Sequence, residues 1–370
     1  MKPIKENKNQ ETEASQKPII GITMGDYNGV GPEVMLKALA HPHITKICTP
    51  VIYGSMKIIS KYRKTLKVKD FYINQINHAK QIAQRKISLL NVGQNKKLEI
   101  NPGKVSEDAG SFAYESLKQA VQDVQQGHLQ ALLTAPINKN NIQSKDFDFP
   151  GHTEYLTKTF QIRDSLMMMV CDELKVGVVT GHIPLAEVSN QLTREKVATK
   201  ILIMLKSLRD DFGIAKPRIA VLGPNPHAGE GGLLGEEENQ IIRPVITEIK
   251  KKGAFVFGPY PADGFFGTAM FKKFDATLAM YHDQGLVPFK TLAFERGVNF
   301  TAGLPIVRTS PDHGTAYDIA GKNVADESSF REALFLAIDI AKRRKELVKI
   351  QQEKLSREKL ENSREASRKG

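Results

Sequence analysis

Seven apolar runs, PIIGITMG, TPVIYGS, HLQALLTAP, KVGVVTGH, PRIAVLGP, AFVFGPYPA and DATLAMYHD, each stop at a polar or glycine-bearing loop, with helix-forming stretches between them. The runs are too short for helices and too continuously apolar for strands with one wet face. Strands of this kind are buried on both sides, and parallel strands need long crossovers, which helices supply. The first run shows the scheme: its Gly/Asp/Asn loop gives way to GPEVMLKALA, with Pro32 in the first turn of the expected helix. SFAYESLKQAVQDVQQG and TREKVATKILIMLKSLRDDFG are amphipathic at helical spacing. The chain is therefore expected to be α/β, its mostly parallel sheet covered by helices on both faces. Open sheets of this class place ligands beyond the carboxyl ends of their strands, so the loops after the runs are where chemistry is sought.

A length of 370 residues allows two domains or one large one, and 41% hydrophobic with 25% charged residues is an ordinary globular mixture. The two cysteines, Cys48 and Cys171, lie in apolar contexts without a CxxC partner, which indicates buried thiols in a reducing compartment. The first 17 residues lack the apolar core of a signal peptide and no run is long enough to span a bilayer, so a cytoplasmic protein without membrane contact is expected. The net charge of +12 suggests nucleic acid, but half of it is local: residues 341–370 hold 11 Lys and Arg against 5 Glu. That segment reads as a solvated helical extension fraying into disorder. It has no aromatic residue to stack on bases, so nucleic-acid binding is not expected.

Three histidines follow apolar runs in Gly- or Pro-bounded surroundings: His182 in TGHIPL, His227 in GPNPHAGEGG and His282 in MYHDQG. They have no local ligand spacing, so only the fold can unite them. Three imidazoles with an open fourth position suit a catalytic divalent ion, zinc first among them. Glycines 25, 29 and 31 after the first run form neither GxGxxG nor a Walker A loop, and a tight turn with close packing accounts for them as well as a ligand does.

The series GITMGDYNGVGPEV, TAPINK, FPGHTEYL, TGHIPL, GPNPHAGEGG, GPYPADGFF, AMYHDQGLVPFK and GVNFTAGLPIVRTSPDHGTAYDIAGK, in this order, resembles the 4-hydroxythreonine-4-phosphate dehydrogenase family over residues 18–342. The resemblance implies two α/β subdomains like those of isocitrate and isopropylmalate dehydrogenases, with an active-site cleft between them. It implies the domain assignment 18–135 plus 290–343 and 136–289, flanked by an N-terminal extension of residues 1–17 and a basic tail of residues 344–370. It implies metal-dependent oxidation of 4-phosphooxy-L-threonine at C3 by NAD or NADP, with decarboxylation to 3-amino-2-oxopropyl phosphate, in pyridoxal 5'-phosphate biosynthesis. The enzymes are homodimers with shared active sites.

Carried over residue by residue, the ligands of one divalent metal (zinc, magnesium or cobalt) fall on His182, His227 and His282. Substrate contacts fall on His152, Thr153, Lys290, Asn299 and Arg308. The loop DHGTAYDIAGK is similar to the HGSAPDIAG loop of the isocitrate-type enzymes, which puts the cofactor on His313, Gly314, Thr315, Ala316, Asp318 and Ile319. Asp263 and Asp283 lie beside the metal motifs; Asp263 is read as the base and Asp283 as a support for ligand or substrate. Tyr27-Asn28 departs from the Pro-Ala common in relatives, Pro311 stands where many have Val, and the basic tail has no counterpart. Two alternatives keep a phosphate site: a paralogous dehydrogenase of 4-phospho-D-threonate or erythronate, and a metal-dependent phosphohydrolase, although the carboxylates that bridge paired metals are missing from the motifs.

Overall fold

The computed structural model describes residues 16–69, 71–93 and 98–369. The expected N-terminal extension lies outside them up to residue 15. Among the described residues there are twelve strands: β1 (Ile19–Thr23), β2 (Thr49–Gly54), β3 (Asn74–Ile76), β4 (Ser88–Asn91), β5 (Ala131–Thr134), β6 (Leu166–Val170), β7 (Lys175–Val178), β8 (Arg218–Leu222), β9 (Phe255–Tyr260), β10 (Ala276–Ala279), β11 (Val298–Ala302) and β12 (Val307–Pro311). All seven apolar runs became strands. The chain divides into two compact units.

The first unit comprises residues up to 161, with 293–300 and 304–338. Its strands lie in the order β3-β4-β2-β1-β5-β12, all parallel, and β11 is added antiparallel to β12. Ile20, Ile22, Val51, Ile52, Leu132 and Leu133 are fully buried, as strands covered on both faces require. The helix Glu107–Gln125 begins at Ser106, whose hydroxyl accepts from the Ala109 amide, and buries Phe112, Ala113, Leu117 and Ala120. Segment 136–161 packs within this unit through Phe147, which is buried against Tyr114 and Tyr155 at ring separations of 5.6 and 5.3 Å.

The second unit comprises residues 162–292, 301–303 and 339–370. Its order is β6-β7-β10-β8-β9, with β7, β10, β8 and β9 parallel and β6 antiparallel at the edge. The helix Arg194–Asp210 starts at Thr193, whose hydroxyl caps the Lys196 amide, and buries Val197, Ile201, Met204 and Leu208. Its C-terminal end is tied to the last helix: Arg344 Nε donates to Asp211 at 2.7 Å, and an Arg343 guanidinium nitrogen donates to the Arg209 carbonyl.

The last helix runs unbroken from Ser328 to Lys369, so the helical part of the basic tail extends further than its weak apolar pattern suggested. Both cysteines are free thiols; Cys48 is buried as expected, whereas Cys171, at the turn after β6, is half-buried. Among the described residues no helix is long and apolar enough to cross a membrane.

Candidate active site

In the second unit, the parallel pairing of β7 with β10 runs Val176↔Thr277 to Val178↔Ala279 and continues past both strands through Val179 N–H to Ala279 and Thr180 N–H to Met280. Equal progress along two parallel strands carries residue 182 to within one residue of the level of residue 282. The His182 and His282 rings accordingly lie 5.5 Å apart, centroid to centroid. Two imidazoles bound at about 2.0–2.1 Å to one tetrahedral ion would have centroids roughly 5.2 Å apart, so this pair fits a shared divalent cation. His282 Nδ1 lies 2.6 Å from Asp283 Oδ1, the carboxylate–imidazole contact that fixes a ring and leaves Nε2 for a ligand. Among the described residues no three His, Cys, Asp or Glu side chains are gathered as a ready ligand set, so the fold unites two of the three expected imidazoles.

His227 is exposed on the loop after β8, in an unusual backbone: residues 227–231 all have positive φ, from 42° to 79°. Left-handed turns cost non-glycine residues about 1–2 kcal/mol each, so His227, Ala228 and Glu230 must be held there. The buried Glu238 holds them: one carboxylate oxygen accepts from the Asn225 amide and the other from Asn225 Nδ2, both at 2.9 Å. A Cβ added to Gly223 or Gly229 would come within 2.6 Å of those oxygens, which explains the glycines. Gln284 links this loop to the histidine pair, accepting from Met280 N–H and donating to the Gly223 carbonyl, each at 2.7 Å. Asp263 is exposed in the first turn of the helix Ala262–Gly267, and Lys290 is half-buried on the helix His282–Ala293.

The first unit holds the remaining expected contacts. His152 and Thr153 open the helix His152–Thr159, whose Tyr155 is clamped in the aromatic cluster with Phe147, Phe149 and Tyr114. Arg308 on β12 is 3% exposed, and Thr134 Oγ1 on β5 accepts from its Nε at 3.1 Å and Nη2 at 2.8 Å. Asn299 pairs with Ser310 across β11 and β12, which puts Asn299 and Arg308 on one face. Burial pushes Arg308 down to about 10, opposed by the charge of Glu154, so the guanidinium stays protonated at neutral pH.

Burial, then the positive charges of Arg308 and Lys139, hold His152 well below the usual imidazole range. His152 Nε2 and Asn299 Oδ1 are both buried without a hydrogen-bond partner. Buried polar atoms are seldom left so, and these two, beside a buried guanidinium and a helix N-terminus, outline a subsite for an anion with hydroxyl or phosphoryl oxygens.

The loop of residues 312–322 lies against the glycine turn after β1. Val30 N–H donates to Thr315 O at 2.8 Å, and a Cβ on Gly29 would meet that oxygen at 2.7 Å. The glycine turn is thus filled by protein, as the packing interpretation of glycines 25, 29 and 31 requires. Gly314 and Asp318 are exposed, and a Cβ on Gly314 would meet nothing within 4 Å. Bare backbone beside an exposed carboxylate fits the adenosine half of a dinucleotide. His313 Nδ1 lies 3.0 Å from the Gly314 carbonyl, Ala316 has φ +40°, and Ile319 N–H closes a turn onto Ala316 O.

Thr134, Glu238 and Gln284 were missed by sequence reasoning, since each acts through a partner distant in the chain. For Thr134 and Gln284 the only signal was a polar residue at the end of, or just beyond, an apolar run; Glu238, the third of three consecutive glutamates, gave none.

The pyridoxal phosphate biosynthetic protein PdxA family model matches residues 46–337. A 4-hydroxythreonine-4-phosphate dehydrogenase from Bacteroides thetaiotaomicron is 48% identical over 327 residues, covering 88% of this chain and 89% of the relative. A relative from Oceanobacillus iheyensis, provisionally named a D-threonate 4-phosphate dehydrogenase, is 42% identical over 88% of this chain and 99% of its own length. The crystal structure of the 4-hydroxythreonine-4-phosphate dehydrogenase from Klebsiella pneumoniae superposes with a TM-score of 0.78 at 36% identity, covering 88% of this chain and 98% of that one. Fold, motifs and relatives agree: the chain belongs to the pyridoxal phosphate biosynthetic protein PdxA family, and it is a dehydrogenase.

Proposed function

We propose that this dehydrogenase oxidises 4-phosphooxy-L-threonine at C3 with NAD or NADP and releases the carboxylate as CO₂, giving 3-amino-2-oxopropyl phosphate. The observation that carries the proposal is the orphaned, neutral His152 beside the buried Arg308. A phosphomonoester brings nearly two negative charges and several acceptor oxygens. Arg308 meets it with a fixed fork, His152 with an uncharged N–H, Thr153 with a hydroxyl at a helix N-terminus, and Asn299 with a further polar group; the family resemblance adds Lys290 to the contacts. This anchor binds the substrate and sets where C3 sits, and its energy appears chiefly as affinity.

When bound, a divalent ion (zinc, magnesium or cobalt) held by His182 and His282, with His227 as the third ligand the family resemblance implies, would supply polarisation of the C3 oxygen, and a dinucleotide on His313–Ile319 would supply the hydride acceptor. Neutral imidazoles leave such a cation its full charge, and Asp283 keeps His282 in one orientation through its 2.6 Å contact. Asp263, exposed in its first helical turn, takes the C3 hydroxyl proton. Loss of hydride leaves a β-keto acid; its C1–C2 bond breaks to release CO₂, and the electron pair left on C2, delocalised as an enolate, takes up a proton to give the amino ketone. The active form is a homodimer of about twice the 41.1 kDa chain, each active site drawing on both subunits. The protein works in the cytoplasm, without nucleic-acid or membrane partners.

The Oceanobacillus relative favours a second reading, in which the substrate is 4-phospho-D-threonate or erythronate. The two substrates share the phosphate and differ at C2, where one bears an amino group. The deciding experiment strips the enzyme with a chelator, restores Zn²⁺, Mg²⁺ or Co²⁺, and follows reduced nicotinamide with each substrate in turn. Restored turnover with 4-phosphooxy-L-threonine, and kcat/KM at least tenfold lower with the sugar acids, is expected; the reverse preference would establish the second reading. Metal-independent turnover would remove the metal from the account.

A further inference from the structure

We propose that the carboxylate of Asp26, acting through the Tyr317 hydroxyl, is a positioning device for the dinucleotide loop and sets its affinity for NAD or NADP; this rests on the reading of residues 313–319 given above. Asp26 follows β1 in the glycine turn and is fully buried. Its Oδ1 accepts from the Asn28 amide at 2.9 Å, and its Oδ2 accepts from Asn141 Nδ2 at 2.7 Å and from Tyr317 OH at 2.8 Å. A carboxylate out of water must use its lone pairs, and these neutral donors leave it a strong acceptor for the phenol. Burial and this hydrogen bond raise the Tyr317 hydroxyl above its ordinary range, so it stays a donor.

The loop needs such a tie. In the similar HGSAPDIAG loop a proline stands at the position of Tyr317, and a proline presets its own backbone while pushing the preceding residue into the extended region. Here Ala316 adopts φ +40°, which a following proline would oppose. The loop is therefore shaped from outside. Val30 N–H holds Thr315 O on one side of Ala316 and Asp26 holds Tyr317 on the other. Further on, the buried Glu33 accepts from Gly321 N–H at 3.2 Å and Ala325 N–H at 3.1 Å. Tyr317 is the tie adjacent to Asp318, the carboxylate offered to the ribose. Freed, residues 316–318 would leave the left-handed turn, and the binding conformation would have to be recovered when the cofactor arrives.

The test compares Tyr317→Phe, Asp26→Asn and the double variant by titrating reduced dinucleotide fluorescence, with steady-state kinetics alongside. Tyr317→Phe keeps the ring and removes one hydroxyl, so it folds. It should raise the Kd and the KM for dinucleotide about tenfold and leave the KM for the phosphorylated substrate within about twofold, a split that general loosening would not give. Asp26→Asn should weaken dinucleotide binding comparably, and the double variant should be no worse than either single one. Asp318→Asn separates this inference from the reading beneath it. If Asp318→Asn weakens dinucleotide binding and Tyr317→Phe does not, the positioning role is overturned alone. If neither changes it, the assignment of the cofactor to this loop falls as well.

Discussion

Replacing Arg308 by Met keeps an unbranched stem on β12 and removes the guanidinium that Thr134 orients. Charge-assisted hydrogen bonds are worth about 1.5–3 kcal/mol, so its loss should raise KM for the phosphorylated substrate roughly 10- to 150-fold. The interaction is the same in ground and transition states, so kcat should change little. Thr134→Val tests the geometry separately. It removes the oxygen that accepts from both Nε and Nη2 and leaves the charge; the change reaches the substrate only through the orientation of the guanidinium, so a smaller rise in KM, about two- to tenfold, is expected. Because burial pushes Arg308 down to about 10, its charge is complete at neutral pH and is lost as pH rises through that value. KM should therefore climb above pH 10 in the wild type and stay flat in Arg308→Met. The assay is initial-rate reduction of the dinucleotide over a range of substrate and pH. A wild-type KM in the Arg308→Met enzyme would refute the anion subsite.

His152, half-buried with its Nε2 enclosed, is held neutral, its folded pKa depressed below the unfolded value of about 6.5, so its contribution to stability is complete above that pH and is lost as pH falls. The wild type should lose more stability than His152→Gln between pH 7.5 and 5.5, read as the difference in denaturant midpoints multiplied by the common slope. Equal losses would show that the imidazole protonates freely in the fold. Truncation after Leu347 should leave turnover and melting temperature unchanged, since the described side chains from 348 to 359 are exposed. Truncation before Arg343 removes the ties to Arg209 and Asp211 and should lower the melting temperature by a few degrees.

The alternation of apolar runs and helices was enough to place seven strands, because a strand buried on both faces announces itself as continuous apolar sequence. Five strands, β3, β4, β6, β11 and β12, were not announced, and for β3 and β12 the reason is physical. Asn74–Ile76 is polar and lies at the sheet edge, where water satisfies one side. Arg308, Thr309 and Ser310 read as loop, yet the three are buried, with Thr309 Oγ1 donating to the Ala333 carbonyl and Arg308 meeting Thr134. The motif histidines were legible because each follows an apolar run, and the level pairing of β7 with β10 brings His182 to His282. The backbone at His227 was not legible. Three glycines between residues 229 and 232 hint at positive φ, but the same conformation at His227, Ala228 and Glu230 depends on Glu238, which is distant from them in sequence and adjacent in space.

The most direct test of the function is a product balance. Purified enzyme with 4-phosphooxy-L-threonine, divalent metal and oxidised dinucleotide should yield one reduced dinucleotide and one CO₂ per substrate consumed, with no inorganic phosphate. Phosphate release without cofactor reduction would contradict the account and identify the anion subsite as that of a phosphohydrolase.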